Sequence, residues 1–324
     1  LHTFGLHGQS IFPMMLGFGC SVPAIMAART LKSRRDRILT ILVIPFISCG
    51  AKLPVYVLLA AAFFPNNPAL AVMAIYGIGV VLSLFAAFVL NRTILRGDPT
   101  PFVLELPPYR SPTLRGILWH VWDKTWQYAK KAGTVILAAS VLIWAITTFP
   151  SKSLPEAERQ QLEQSFVASQ SDADPEAVDA YLAVQESEYR LAHSFAGQLG
   201  RFMEPVFKPL GFDWKITVAM VTGFAAKEVI VSTLGILYGV GQEETEESES
   251  LRSALQQDPA WNPLVAFVLM LFVLVIPPCF AAQATMRAEL GWSWWAFSVV
   301  TLLVFGWLLS FIIYQLGMLG GAFL

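Results

Sequence analysis

The sequence predicts an all-α fold: a polytopic helical membrane bundle with two gate-like repeats containing broken helices. Three observations predict it. Of the 324 residues, 55% are hydrophobic and only 14% charged, with a mean hydropathy of +0.57, whereas a soluble domain carries about 25% charged residues to stay dispersed. Several segments approach the roughly 20 mostly apolar residues with which a helix crosses a hydrocarbon core about 30 Å thick. No segment alternates apolar and polar residues over about ten positions, which disfavours a β-barrel. The same composition excludes a disordered chain, a nucleic-acid binder driven by bulk charge and a small disulfide scaffold. The three cysteines, Cys20, Cys49 and Cys279, cannot all pair, and each lies in or beside an apolar segment.

Taken in order, the first element is an apolar stretch over 9–28, interrupted by Gly17, Gly19 and Pro23. A basic run follows, with Arg29, Lys32, Arg34, Arg35 and Arg37, and the positive-inside bias makes it cytoplasmic. The next stretch, 38–64, is broken by Pro45, Gly50, Lys52 and Pro54, and 69–91 is a clean span. Residues 92–131 return to the cytoplasmic side by parity and carry Arg92, Arg96, Arg110, Arg115, Lys124, Lys130 and Lys131. Within them Trp119, Trp122 and Trp126 read as the aromatic belt of an interfacial helix, or alternatively as a regulatory contact surface. A clean span over 132–149 leads outside to an acidic segment, 150–213. There Pro155 and Pro175 precede acidic first turns and Asp174 can cap the second helix, so two or three helices are expected. Broken stretches over 214–240 (Gly223, Lys227, Glu228) and 261–285 (Pro277, Pro278) and a clean span over 292–316 complete the chain. By the same parity the acidic 241–260 loop is cytoplasmic. The chain begins at Leu1 without a basic n-region or cleavage site, and reads as a fragment whose beginning lies upstream.

Two of these stretches begin alike, with Gly17-Phe18-Gly19-Cys20 and Gly223-Phe224-Ala225-Ala226. Each is followed by a charged loop, then a Pro/Cys-interrupted helix (Pro45 to Cys49-Gly50; Pro277-Pro278-Cys279), then an uninterrupted span. Pro and Gly free backbone groups that hydrocarbon cannot satisfy, so such breaks survive only in protein interior or beside a water-filled path. Paired breaks at corresponding positions point to a transporter binding site. The span count runs both Gly-Phe elements in one direction; if either is a re-entrant hairpin, the repeats are inverted.

Ionisable groups inside spans are costly, about 2.5–3.5 kcal/mol each on insertion scales, and so mark candidate sites. Glu228 beside Lys227 is either a carboxylate facing a transport path or half of a helix-linking charge pair. Lys52, within a broken helix, is read as a cap for freed carbonyls. Sulfur plus carboxylate suits Fe(II) better than Mg²⁺ or Ca²⁺. With no Cys-x-x-Cys, no His-Glu-x-x-His and four scattered histidines, a weak multi-site ion path fits better than a tight structural site. No phosphate loop and no Gly-x-Ser-x-Gly is present, so the chain itself is not expected to be an enzyme.

The run Gly17-Phe18-Gly19-Cys20-Ser21-Val22-Pro23-Ala24, the segment Pro45-Phe46-Ile47-Ser48-Cys49-Gly50-Ala51-Lys52-Leu53-Pro54-Val55-Tyr56, and Phe102-Val103-Leu104-Glu105-Leu106-Pro107-Pro108-Tyr109 closely resemble the membrane part of the bacterial ferrous-iron transport protein B (FeoB) family. So do Pro112-Thr113-Leu114-Arg115, Ala226-Lys227-Glu228-Val229 and Pro278-Cys279. The resemblance covers nearly the whole chain except about 151–195 and 241–260. It implies Fe²⁺ as transported substrate, a multi-pass location in the bacterial inner membrane, and an upstream GTPase domain, outside this chain, that would hold GTP and Mg²⁺. It implies a first gate region over 1–91 with Cys20 and Cys49, a cytoplasmic linker over 92–131, a span over 132–149, an extracytoplasmic acidic segment over 150–213, and a second gate region with C-terminal spans over 214–324, holding Glu228 and Cys279. Glu105 then stands as a cation exit ligand or as a cap for its Pro-stiffened loop. Expected partners are the lipid bilayer, Fe²⁺ and the chain's own GTPase domain. Small cytoplasmic accessory proteins and a homo-oligomer stay open, and no nucleic acid is expected. Two other readings compete: a transporter of a small organic solute such as a nucleoside, and a membrane scaffold for the GTPase.

Overall fold

The computed structural model describes residues 4–96, 113–169, 175–238 and 248–320. Glu105, the Asp174 cap and the acidic run at 243–247 lie outside the described residues. The fold is all-α, with no strand among the described residues. The chain forms two compact units. One holds Leu1–Gly50, Tyr76–Ala139 and Phe280–Leu302; the other holds Ala51–Ile75, Ser140–Cys279 and Leu303–Leu324.

The 9–28 stretch is not one kinked helix. It forms two seven-residue helices, α1 (Ile11–Gly17) and α2 (Ser21–Ala27), packed on one another. At about 1.5 Å per residue each is about 10 Å long, far short of a membrane crossing. The turn falls at Phe18-Gly19-Cys20, with Cys20 extended (φ −152°, ψ 133°). Pro23 lies in the first turn of α2, where its missing N–H has no helical acceptor to lose. The second stretch runs α3 (Arg34–Val43), a 3₁₀ turn over Ile44–Phe46, three non-helical residues 47–49 of which Ile47 is extended, a 3₁₀ turn over Gly50–Lys52, and α4 (Leu53–Phe63). Pro45 and Pro54 again sit at the starts of their helical segments. An unbroken helix, α5 (Pro68–Thr93), follows.

The belt of tryptophans and the span after it form one continuous helix, α6 (Leu114–Thr148), 35 residues long. The acidic 150–213 segment contains three helices, α7 (Glu156–Ser169), α8 (Pro175–His193) and α9 (Phe195–Phe207). The 214–240 stretch repeats the first motif as α10 (Trp214–Gly223) and α11 (Val229–Leu237), packed on one another. Their buried hydroxyls meet, Thr222 Oγ1 to Thr233 Oγ1 at 2.9 Å. A short helix, α12 (Glu249–Gln257), precedes the second broken span, α13 (Pro263–Val275) and α14 (Phe280–Leu290), and then the unbroken α15 (Trp292–Gly320). Among the described residues four stretches are long and apolar enough to cross a membrane: Arg34–Phe63, Pro68–Thr93, Pro263–Leu290 and Trp292–Gly320.

The order hairpin, charged loop, broken span, unbroken span therefore occurs twice, and each unit is built from both copies. In the first unit α14, from the second copy, packs on α2 of the first hairpin. In the second unit α4, from the first copy, packs on α11 of the second hairpin and on α12 and α13. Polar ties reinforce each exchange. Arg29 after α2 pairs through Nε (2.8 Å) and Nη2 with Glu289 near the end of α14, which raises the Arg29 pKa above its ordinary value. Gln256 Nε2 of α12 donates to the Ala62 carbonyl of α4 at 2.5 Å. Helices of the acidic segment dock on the second hairpin: α9 packs on α10, Lys215 pairs with Glu188 at 3.6 Å, and Arg201 lies over the Trp214 ring.

Candidate functional site

In the first unit the turn of the α1–α2 hairpin meets the break between α3 and α4. The Gly50 N–H donates to the Gly19 carbonyl at 3.1 Å. This bond joins two stretches of backbone that helix geometry has left unpaired, which is how a break can persist away from water. Gly17, at the end of α1, faces Ile47 at van der Waals distance, and an added Cβ on Gly50 would stand 3.4 Å from the Gly19 carbonyl. Cys20 and Cys49 flank the bonded pair, both half-buried and neither in a disulfide.

A third element closes on this crossing. Tyr76 of α5 stacks on Phe18, ring centroids 6.4 Å apart and 9° from parallel. Its hydroxyl is hydrogen-bonded to the buried Ser48 side chain, and Cys49 lies within its electrostatic reach. Cys20 and Cys49 thus adjoin the Gly19–Gly50 contact in sequence, and Ser48 and Tyr76 lie beside the same break. Neither Ser48 nor Tyr76 was singled out from sequence. The available signal was a phenol in the otherwise apolar 69–91 span.

In the second unit the corresponding break after α13 runs Ile276-Pro277-Pro278-Cys279, with both prolines buried and Cys279 half-buried. The Lys52 side chain is 1% exposed, and its Nζ donates to the Leu274 carbonyl at 2.7 Å. That carbonyl lies in the last turn of α13, where acceptors lose their helical donors and a cation is favoured. The lysine of the first broken span thus caps the second, as its sequence position suggested.

At the second hairpin the turn is Phe224–Glu228. Gly223 closes α10 against Ile230, whose Cγ1 would lie 2.2 Å from an added Cβ. Lys227 is buried, with its Nζ 5.2 Å from the Phe224 ring centroid. Glu228 is exposed at the entry to α11 and makes no side-chain cap there. The two neighbours diverge: the cation is enclosed and the carboxylate faces outward. The structure thus brings Cys20 and Cys49 together in one unit, while Glu228 and Cys279 belong to the other. Among the described residues no group of three or more His, Cys, Asp or Glu side chains could hold a metal ion.

Two family models match the chain. One, described as nucleoside recognition, matches residues 1–63 and 129–293; the other, described as the ferrous iron transport protein B C terminus, matches residues 72–124. A fusion of Fe(2+) transport protein A with Fe(2+) transporter FeoB from Porphyromonas gingivalis is 40% identical over 332 residues, covering 98% of this chain and 39% of the relative. The Fe(2+) transporter FeoB of Campylobacter jejuni is 43% identical over 292 residues, 90% of this chain and 43% of the relative. That of Methanocaldococcus jannaschii is 35% identical over 318 residues, 98% and 42% respectively. The chain spans about 40% of the length of these curated relatives. No solved structure matches it.

Proposed function

We propose, for a chain that belongs to the FeoB family of ferrous-iron transport proteins and is a multi-pass membrane protein, that it forms the path by which Fe²⁺ crosses the bacterial inner membrane. The observation that carries this reading is the Gly19–Gly50 backbone bond, which holds two thiols beside two breaks in the helical framework. A borderline divalent ion can exchange water for sulfur and hydroxyl ligands there and leave again, because the site offers few of them. Cys20 and Cys49 form the first station. Glu228 and Cys279 serve a second, and Glu105 serves the cytoplasmic exit. Residues 1–91 and 214–324 form the two gate regions, joined by the linker 92–131, the span 132–149 and the outer acidic segment 150–213.

The two hairpins support an inverted arrangement of the repeats. Helices of seven to ten residues enter a bilayer and return instead of crossing it. Counting both hairpins as re-entrant, the first broken span runs outward from its basic cytoplasmic start and the second runs inward. The 241–260 loop then lies outside, opposite to the parity obtained with 214–240 as a full span. GTP and Mg²⁺ are assigned to a GTPase domain in the longer protein, and hydrolysis to that domain, not to this chain. The fusion seen in the Porphyromonas gingivalis relative favours a small accessory protein as a cytoplasmic partner.

The full-length protein reconstituted in vesicles should accumulate Fe²⁺, and Cys20→Ser or Cys49→Ser should reduce that accumulation while insertion is unchanged. Wild-type uptake in both variants would remove these residues from the path. The nucleoside-recognition description of the larger family match favours one other substrate class, a small organic solute; competition of a nucleoside with Fe²⁺ uptake would support it.

A further inference from the structure

The N-terminal half of α6 takes no part in the ion path, yet its side chains form a distinct surface. Arg115, Trp119, Trp122, Trp126 and Lys130 recur at intervals of four, three, four and four residues, which places them on one helical face. The three tryptophans are 72%, 65% and 61% exposed, and Trp122 stacks on Trp126 with centroids 6.4 Å apart. A groove of about 620 Å³ runs along the start of this face, lined by Leu114, Arg115, Leu118, Trp119 and Trp122. A large aromatic face of this kind has an occupant.

We propose that this face binds anionic phospholipids of the cytoplasmic leaflet. The length of α6 is the first reason. Its 35 residues span about 52 Å, some 20 Å more than the hydrocarbon core; with 132–149 as the span proposed above, on which this inference rests, its first turns run in the headgroup layer. The second is chemical order along the stripe: a guanidinium at one end, an ammonium at the other, and indoles between. Indoles settle at the depth of the glycerol and upper acyl chains, where an apolar body and an N–H donor are both satisfied. Arg115 and Lys130 stand about 22 Å apart along the helix, so each reaches the phosphate of a different lipid, the guanidinium in a two-pronged manner. An acyl chain fits the groove beside Leu114 and Leu118. A zwitterionic headgroup would bring its own cation against Arg115, so the surface selects net negative lipids.

Native mass spectrometry of the detergent-solubilised full-length protein, offered phosphatidylglycerol or phosphatidylcholine, tests this. The wild type should retain phosphatidylglycerol in preference. Each near-surface cation contributes about five-fold, so Arg115→Gln with Lys130→Gln should cut the preference about thirty-fold. Trp119→Ala with Trp122→Ala should reduce retention of both lipids, with the melting temperature unchanged because nothing buried is removed. Equal retention of the two lipids by the wild type, or an unchanged preference in the charge variant, overturns the proposal. So does conversion of an oligomer to a monomer by the tryptophan variant with lipid retention intact, which would give the face to a second copy of the chain.

Discussion

If the Gly19–Gly50 contact builds the site, Cys20 and Cys49 must be close enough to bridge. The Gly19 carbonyl oxygen and the Gly50 nitrogen are 3.1 Å apart, and each belongs to the peptide unit shared with the neighbouring cysteine. Covalent geometry then limits the Cα–Cα separation of Cys20 and Cys49 to about 8 Å. A disulfide needs about 4.4–6.8 Å, so a two-thiol alkylating reagent with a short carbon spacer bridges the pair without moving the backbone. The perturbation is that reagent, applied to the reconstituted full-length protein carrying Cys279→Ser to remove the chain's third thiol. Peptide mapping should recover residues 20 and 49 joined within one chain, and Fe²⁺ uptake should fall in proportion to the bridged fraction. Cys20→Ser or Cys49→Ser should abolish the bridge. Separate alkylation of both thiols without a bridge would refute the proximity, and full bridging with undiminished uptake would refute the path.

Lys52→Met keeps the side-chain stem but removes the donor to the Leu274 carbonyl. Leaving that acceptor unpaired should cost about 1–3 kcal/mol, read as a lower melting temperature in detergent; an unchanged value would deny the cap. Gly223→Val drives side-chain atoms into Ile230 and should cost about 1–3 kcal/mol by overpacking, whereas Gly133→Ala, inside α6 with open space around its Cβ position, should hold or slightly raise the melting temperature. Glu289→Gln should cost about 1 kcal/mol or less, since its partner Arg29 is half-exposed and screened; a loss several times larger would mean the exchange of α14 onto α2 hangs on this pair. Tyr76→Phe keeps the stack on Phe18 but loses the hydroxyl near Ser48. It should slow Fe²⁺ uptake without lowering melting temperature much, and wild-type uptake would remove Tyr76 from the site.

The unbroken spans were legible from hydropathy alone: α5 and α15 begin and end within a few residues of the predicted 69–91 and 292–316. So was the class of the broken spans, because Pro45, Pro54, Pro277 and Pro278 cannot continue a helical ladder. The hairpins were not. Apolar content over 9–28 and 214–240 satisfies a length criterion whether the chain runs straight or folds back, and only packing distinguishes the two. With both hairpins re-entrant, as proposed, the reversals at Gly17–Cys20 and Gly223–Glu228 also make the repeats inverted. The junction between linker and span at 131 and 132 left no mark in α6, because helix propensity is indifferent to the change from amphipathic to apolar sequence. Cys20 and Cys49 were legible as residues beside breaks. Their meeting rests on one long-range hydrogen bond, and the roles of Tyr76 and Ser48 on contacts between helices, which periodicity does not encode. For Glu228 the sequence showed a charge in an apolar stretch, but not that Lys227 would take the buried side and leave the carboxylate exposed.

The most direct measurement is X-ray absorption at the iron edge on the full-length protein loaded anaerobically with Fe²⁺. A path through Cys20 and Cys49 predicts sulfur among the nearest scatterers, reduced in Cys20→Ser and absent in the Cys20→Ser, Cys49→Ser double variant. A first shell of oxygen and nitrogen alone in the wild type, identical in the double variant, would contradict it.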